Sequence, residues 1–174
     1  MTIQEALRSS GIDPREARLL LARVTGFSEA SLLAFPQRAL PAEHAQRFNA
    51  VVERRKRGEP VAYILGEKEF YGLRLSISPA VLIPRPETEV LVELALQRKS
   101  ASVLDLGTGS GAIALAIKHE RPGVRVVAVD SSAAALVIAK RNSVALGLQV
   151  EWRHGRWFDA VAGERFDLVL ANPP

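Results

Sequence analysis

Apolar positions follow a helical period through the first 58 residues, and turn signals divide them into short segments. Ile3, Ala6 and Leu7 share one face behind Thr2, which can cap a first helix, and Gly11 closes that segment. Asp13-Pro14 then places a capping carboxylate before a proline at the first helical position. Ala17, Leu20, Leu21 and Val24 give the second helix an apolar face that stops near Gly26. Ser28 can cap a third helix ending before Pro36, and Pro41 opens a fourth with Phe48, Val51 and Val52 inward. This pattern predicts a small helical bundle.

From about Val61 the period changes. Phe70, Leu73, Leu75 and Ile77 alternate around Gly72 as in a half-buried β-hairpin, and Val81-Leu82-Ile83 runs into Pro84. A helix is predicted from about Glu87 to Gln97 with Val90, Leu91, Leu94 and Ala95 on one face. Strands are then expected at Val103-Leu104, Val126–Val129, Gln149–Trp152 and Leu168–Leu170. The helices between them carry Ile113, Ala116 and Ile117, then Ala135, Ile138 and Ala139. Alternating strands and helices imply a parallel α/β sheet with right-handed crossovers. The expected division is a helical domain over 1–58, a linker with a β-hairpin over 59–86, and an α/β domain over 87–174.

Composition narrows the chemistry. Hydrophobic residues make up 48% and charged residues 24%, which argues for a packed core and against global disorder. The absence of cysteine excludes disulfides, thiolate metal sites and cysteine nucleophiles, and points to the cytoplasm as the expected compartment. Met1–Glu5 lacks the basic-then-apolar pattern of a signal segment, and no run of about 18 apolar residues suggests a membrane span. His44, His119 and His154 lack metal-ligand spacing, so no metal is expected. Net charge is only +4, and the one charge run, Arg54-Arg55-Lys56-Arg57, reads as a helix end favoured by the macrodipole or as a contact for a ribosomal or RNA partner.

The strongest chemical signal is Asp105-Leu106-Gly107-Thr108-Gly109-Ser110-Gly111, leaving a strand and entering a helix near Ala112. Alternate glycines let the backbone turn sharply and approach a ligand closely. Asp130 ends the next strand 19 positions after Gly111, about the spacing at which an acid binds ribose hydroxyls; it can also cap the following helix with Ser131 and Ser132. Trp157-Phe158 after the third strand suits an aromatic wall for a purine, or a core tryptophan. The last strand runs into Asn172-Pro173-Pro174, a rigid corner holding Asn172 at the carboxyl end of the strand, where open α/β sheets bind ligands. An amide and adjacent carbonyls there can accept both hydrogens of a planar amino group.

These motifs resemble a known family. Asp-x-Gly-x-Gly-x-Gly is similar to the first motif of Rossmann-like class I S-adenosylmethionine methyltransferases, and Asn172-Pro173-Pro174 to the Asn/Asp-Pro-Pro-Tyr motif of enzymes methylating amino nitrogens of adenine, guanine or glutamine. More specifically, Arg57–Gly66, Phe70-Tyr71-Gly72 and Val81–Glu89, with Pro84-Arg85-Pro86-Glu87-Thr88-Glu89 at its end, resemble the HemK/PrmC glutamine methyltransferases that modify peptide-chain release factors. That resemblance implies methyl transfer from S-adenosylmethionine to the side-chain amide nitrogen of the glutamine in a Gly-Gly-Gln loop, in support of translation termination. It implies that Gly107, Thr108, Gly109, Ser110, Gly111 and Asp130 bind the cofactor, that Trp157 flanks its adenine, and that Asn172, Pro173 and Pro174 hold the glutamine amide. Phe70, Pro84, Glu87, Thr88 and Asp105 form a second tier bordering the pocket.

Two departures stand out: Arg156 occupies the position before the aromatic pair where relatives often carry an acid, and the sequence stops before the motif's aromatic residue. The expected architecture is a small N-terminal helical bundle, a hairpin linker and the first half of the methyltransferase sheet, incomplete at its carboxyl end and leaving the last strand an open edge. A nucleic-acid amino methyltransferase and a noncatalytic cofactor-binding fragment are the competing readings. The expected partner is a release factor rather than nucleic acid or a membrane, because nucleic-acid binding calls for a concentrated basic footprint.

Overall fold

The computed structural model describes residues 1–172. The chain divides into two compact units, Met1–Leu65 and the remainder from Gly66. The first holds α1 (Ile3–Ser9), α2 (Pro14–Thr25), α3 (Glu29–Ala34), α4 (Ala42–Lys56) and α5 (Val61–Leu65). The starts of α1 to α4 are those the turn signals predict. Thr2 and Glu5 form a reciprocal capping box on α1, the Asp13 carboxylate accepts from Arg15 and Glu16 N–H groups on α2, and the Ser28 hydroxyl accepts from Ser31 N–H on α3. Ile3, Leu20, Leu21, Leu32, Phe48 and Val52 form the buried centre, with Val51 only half-buried.

Three residues of the basic run are ion-paired. Arg54 meets Glu59, Arg55 meets Glu16 and Lys56 meets Glu53, all at 3.0 Å or less. The guanidinium of Arg54 holds the Glu59 carboxyl below its ordinary range. This is the helix-end reading of the run. Helix α5 occupies a stretch expected to be linker; Val61, Ile64 and Leu65 pack on the bundle core, and that burial supplies what a five-residue helix lacks in intrinsic stability.

The second unit opens with the antiparallel hairpin β1 (Glu67–Phe70) and β2 (Leu73–Ser76). At its two-residue turn Tyr71 has φ 51°, and its N–H donates to the Glu89 carboxylate at 2.9 Å. A segment over 77–85 and a 3-10 turn at Pro86–Thr88 lead to α6 (Glu89–Leu96). Then come β3 (Ser102–Leu106), α7 (Ala112–Glu120), β4 (Arg125–Asp130), α8 (Ala133–Leu146), β5 (Glu151–His154) and β6 (Leu168–Ala171).

The four strands from β3 onward are parallel in the order β5-β4-β3-β6. Alternation divides β3 and β4 between two apolar layers: Val103, Val126 and Ala128 lie with α6 and α7, whereas Val127 and Val129 join Leu104, Leu106 and Val161 on the other face. Burial on both faces is what a parallel sheet requires. At the other end of the strands, Arg125 and Arg153 both pair with Glu151 and Glu164, joining β4 and β5 to the loop before β6. Hydrogen bonding from Arg125 pulls the Glu151 carboxyl down to about 2.

Two expectations need correction. In α6 the buried residues are Val92 and Ala95, while Val90 and Leu94 are more than half exposed. The third sheet strand begins at Glu151 rather than Gln149, because its register on β4 pairs Val127 with Glu151 and brings Glu151 to Arg125. Among the described residues no helix is long and apolar enough to cross a membrane.

Candidate functional site

The carboxyl ends of β3, β4 and β6 converge on one cavity. Leaving β3, the chain turns through Gly107–Gly111 into α7, with the N–H groups of Gly107 and Thr108 both donating to the Val129 carbonyl at 2.9 and 3.1 Å. Gly107 and Gly109 have φ of 73° and 57°, a region costly to residues with a Cβ, and a Cβ built on either would meet no protein atom within 4 Å. The turn is therefore sharp, and open space lies beside it.

Asp130, at the end of β4, is held from two sides. Its Oδ2 accepts from Gly109 N–H and its Oδ1 from Ser132 N–H, each at 2.8 Å. The cap of α8 is Ser132, whose hydroxyl accepts from Ala135 N–H, while the Asp130 carboxylate faces the cavity. Each oxygen keeps a further lone pair with which to accept from a ligand hydroxyl.

The cavity, of about 240 Å³, is lined by Gly107, Thr108, Gly109, Ser110, Asp130 and Asn172, and on another side by residues 80–85 and Thr88. A second cavity of about 300 Å³ shares Gly107, Asp130 and Ser131 with it and is walled by Trp157 and Arg156. Trp157 is 61% exposed, which excludes a core role, and its φ of 49° is unusual for a bulky side chain. Adjoining spaces of this size suit an elongated ligand with a flat end and a hydroxylated middle.

Asn172 follows β6 directly. Its Nδ2 donates to the Thr88 hydroxyl at 3.0 Å, and its Oδ1 makes no hydrogen bond among the described residues. An amide oxygen so presented can accept from an incoming amino group. Pro173 and Pro174 lie outside the described residues.

The structure thus brings together Gly107, Thr108, Gly109, Ser110, Asp130, Asn172, Pro84 and Thr88, with Trp157 in the adjoining space. Four predicted residues stand elsewhere. Gly111 is buried, and a Cβ there would come within 2.8 Å of Trp152 Cη2, so its glycine serves packing as well as the turn. Phe70 is a core residue at 1% exposure, and Glu87 is exposed without lining the cavity. Asp105 lies beneath the loop, where its Oδ2 accepts from the Thr108 hydroxyl at 2.6 Å. Burial pushes its carboxyl up to about 6. Sequence reasoning missed the wall formed by residues 80–83, of which only proximity to Pro84 gave a sign, and Asn142, whose side chain bonds to the glycine loop.

A parallel sheet with a glycine turn and a carboxylate at adjacent strand ends defines a Rossmann-like cofactor-binding unit, the architecture of class I methyltransferases. Family comparison agrees: the model of the PrmC N-terminal domain matches residues 2–66, and that of the methyltransferase small domain matches residues 86–174. The chain belongs to the HemK/PrmC family. It is 47% identical to the release factor glutamine methyltransferase of Neisseria gonorrhoeae over all of this chain and 65% of that protein. With the enzyme of the same description from Xylella fastidiosa it shares 49% identity over 97% of this chain and 63% of the relative. The chain therefore spans just under two thirds of the length of these relatives. Among solved structures, a Pyrococcus abyssi tRNA (uracil-54, C5)-methyltransferase in complex with S-adenosyl-L-homocysteine shares the fold, with a TM-score of 0.53 at 21% identity over 62% of this chain and 27% of that one.

Proposed function

We propose that the chain acts in methylating the side-chain amide nitrogen of the glutamine in the Gly-Gly-Gln loop of peptide-chain release factors, with S-adenosylmethionine as donor, in the cytoplasm and in support of translation termination. The observation that carries this reading is the placement of Asn172. Its amide oxygen has no hydrogen-bond partner among the described residues, its nitrogen is held by Thr88, and it lines the same cavity as Asp130 and the glycine turn.

In this reading Asp130 accepts the ribose hydroxyls, the backbone of Gly107–Ser110 lies against the methionine and ribose portions, and Trp157 flanks the adenine. The bound donor supplies a sulfonium methyl that is already activated. The chain's own task is then positioning: Asn172 Oδ1 and an adjoining main-chain carbonyl accept the two hydrogens of the glutamine amide and aim its nitrogen in line with the methyl. Residues 1–58 would recognise the release factor, 59–86 connect, and 87–174 carry the transfer site.

The ion pairing of Arg54, Arg55 and Lys56 favours a protein acceptor over nucleic acid, since it offsets three of the four charges in the basic run. Incubation with methyl-labelled donor and a release factor should label the Gly-Gly-Gln glutamine, and Asn172→Ala should abolish the label. Label appearing on nucleic acid and not on the release factor would overturn the proposal. Binding without turnover would make the chain a cofactor-binding fragment.

A further inference from the structure

A single buried side chain that lines neither cavity ties two walls of the first one together. Asn142, on α8, is 1% exposed. Its Oδ1 accepts from Ser76 N–H at 2.8 Å, and its Nδ2 donates to the Ser76 carbonyl at 3.0 Å and to the Ser110 carbonyl at 2.9 Å. Both amide hydrogens and the oxygen are thereby used. The reverse orientation would set the NH₂ group against Ser76 N–H and the oxygen against two carbonyls, so the surroundings permit one orientation only.

The pair of bonds to Ser76 copies the exchange between facing residues of two strands. It falls where β2 ends and the 77–88 segment begins, and residues 80–85 and Thr88 of that segment line the cavity. The third bond holds the glycine turn at Ser110, which lines the cavity from another side. The segment has further anchors: Ile77 and Val81 are buried, and Ile77 N–H donates to the Gly66 carbonyl at 3.0 Å. Loss of the Asn142 bonds should therefore shift the wall without unfolding the unit.

We infer that Asn142 is a positioning residue of the cofactor site, holding the 77–88 wall and the glycine turn at the separation that a ligand between them requires. The inference rests on the reading of the cavity as the S-adenosylmethionine site. Because Thr88 in turn holds Asn172, the same tie extends to the acceptor side of the cavity.

Two variants of the chain separate this role from bulk stability, read by calorimetry with S-adenosylhomocysteine and by residue-resolved amide hydrogen exchange. Asn142→Ala leaves one buried and two partly buried backbone groups without their partner and should weaken binding by about tenfold or more. The Ser76 and Gly111 amides should exchange faster while those of β3 and β4 keep their protection. Asn142→Asp keeps an acceptor for Ser76 N–H but loses the donations to the Ser76 and Ser110 carbonyls. The Ser76 amide should then stay protected while the glycine turn loosens and binding weakens. Affinities within about twofold of the parent in both variants would overturn the inference, since that is well below the roughly tenfold loss expected for unsatisfied buried groups. So would a uniform loss of protection across β3 and β4 with weakening no larger than the unfolded fraction explains. If Asn142→Ala does not fold, Asn142→Asp decides by the same criteria. If the parent chain binds no S-adenosylhomocysteine, the cofactor reading fails, and the tie stands or falls on the Ser76 and Gly111 exchange rates.

Discussion

Asp105 places an ionisable group where a neutral one would be less costly. It is 1% exposed, only one of its oxygens has a hydrogen-bond partner among the described residues, and burial pushes its carboxyl up to about 6 against the pull of the Thr108 hydroxyl, with the Asp130 charge adding to the rise. A carboxyl whose pKa is higher folded than unfolded favours the fold below its unfolded value of 3.8, and that contribution is lost as pH rises through about 6. Above that range the fold carries a buried charge. Asp105→Asn removes the charge and keeps an acceptor for Thr108, so it should stabilise the second unit at pH 8 by on the order of 2–3 kcal/mol. Near pH 4, where the carboxyl is protonated in the folded chain, the two proteins should melt alike. Thermal unfolding at both pH values checks this, and equal destabilisation at both would show that the carboxylate is not the source of the cost.

At the scale of elements, the glycine turn combines two kinds of glycine that look the same in sequence. Gly107 has open space beside it, whereas a Cβ on Gly111 would meet Trp152 Cη2 at 2.8 Å, Leu115 Cδ1 at 3.1 Å and Ala139 Cβ at 3.3 Å. Gly107→Ala should cost only its left-handed strain, about 1–2 kcal/mol. Gly111→Ala adds overpacking between α7, α8 and β5 and should cost about 2–4 kcal/mol. Trp152→Leu should recover part of the second cost and none of the first, as measured by denaturant midpoints; equal costs for the two glycines would refute the distinction. The turn itself was legible because its glycines and the acid 19 positions on follow fixed backbone demands. Its supports were not. Asn142 bonds to backbone groups 66 and 32 positions away, so no local pattern announces it. The face of α6 was also illegible: Val90-Leu91-Val92 and Leu94-Ala95-Leu96 are nearly continuous apolar runs, and only packing selects Val92 and Ala95 over Val90 and Leu94. The third sheet strand was legible but its start was not, because Glu151 and Arg153 take strand positions as ion-pair partners of Arg125 and Glu164.

At the scale of the whole molecule, two cores share no residue. One, in the first unit, is built around Ile3, Leu20, Leu21 and Phe48, and the other, in the second unit, consists of two layers on either side of the four-stranded sheet. A unit of 65 residues buries a comparatively small share of its surface and has little stability in reserve. Phe48 is fully buried, and Phe48→Ala should cost about 3–5 kcal/mol, enough to unfold much or all of that unit. Among the described residues, all that line the first cavity belong to the second unit. Phe48→Ala should therefore expose the amides of α2 and α4 to rapid exchange while those of β3 and β4 stay protected and S-adenosylhomocysteine affinity stays at the parent value. Methylation of a release factor should nevertheless fall, because the proposed recognition surface is the part that is lost. Simultaneous loss of protection in β3 and β4 would show instead that the two cores fold as one cooperative body, and the separation of recognition from cofactor binding would have to be abandoned.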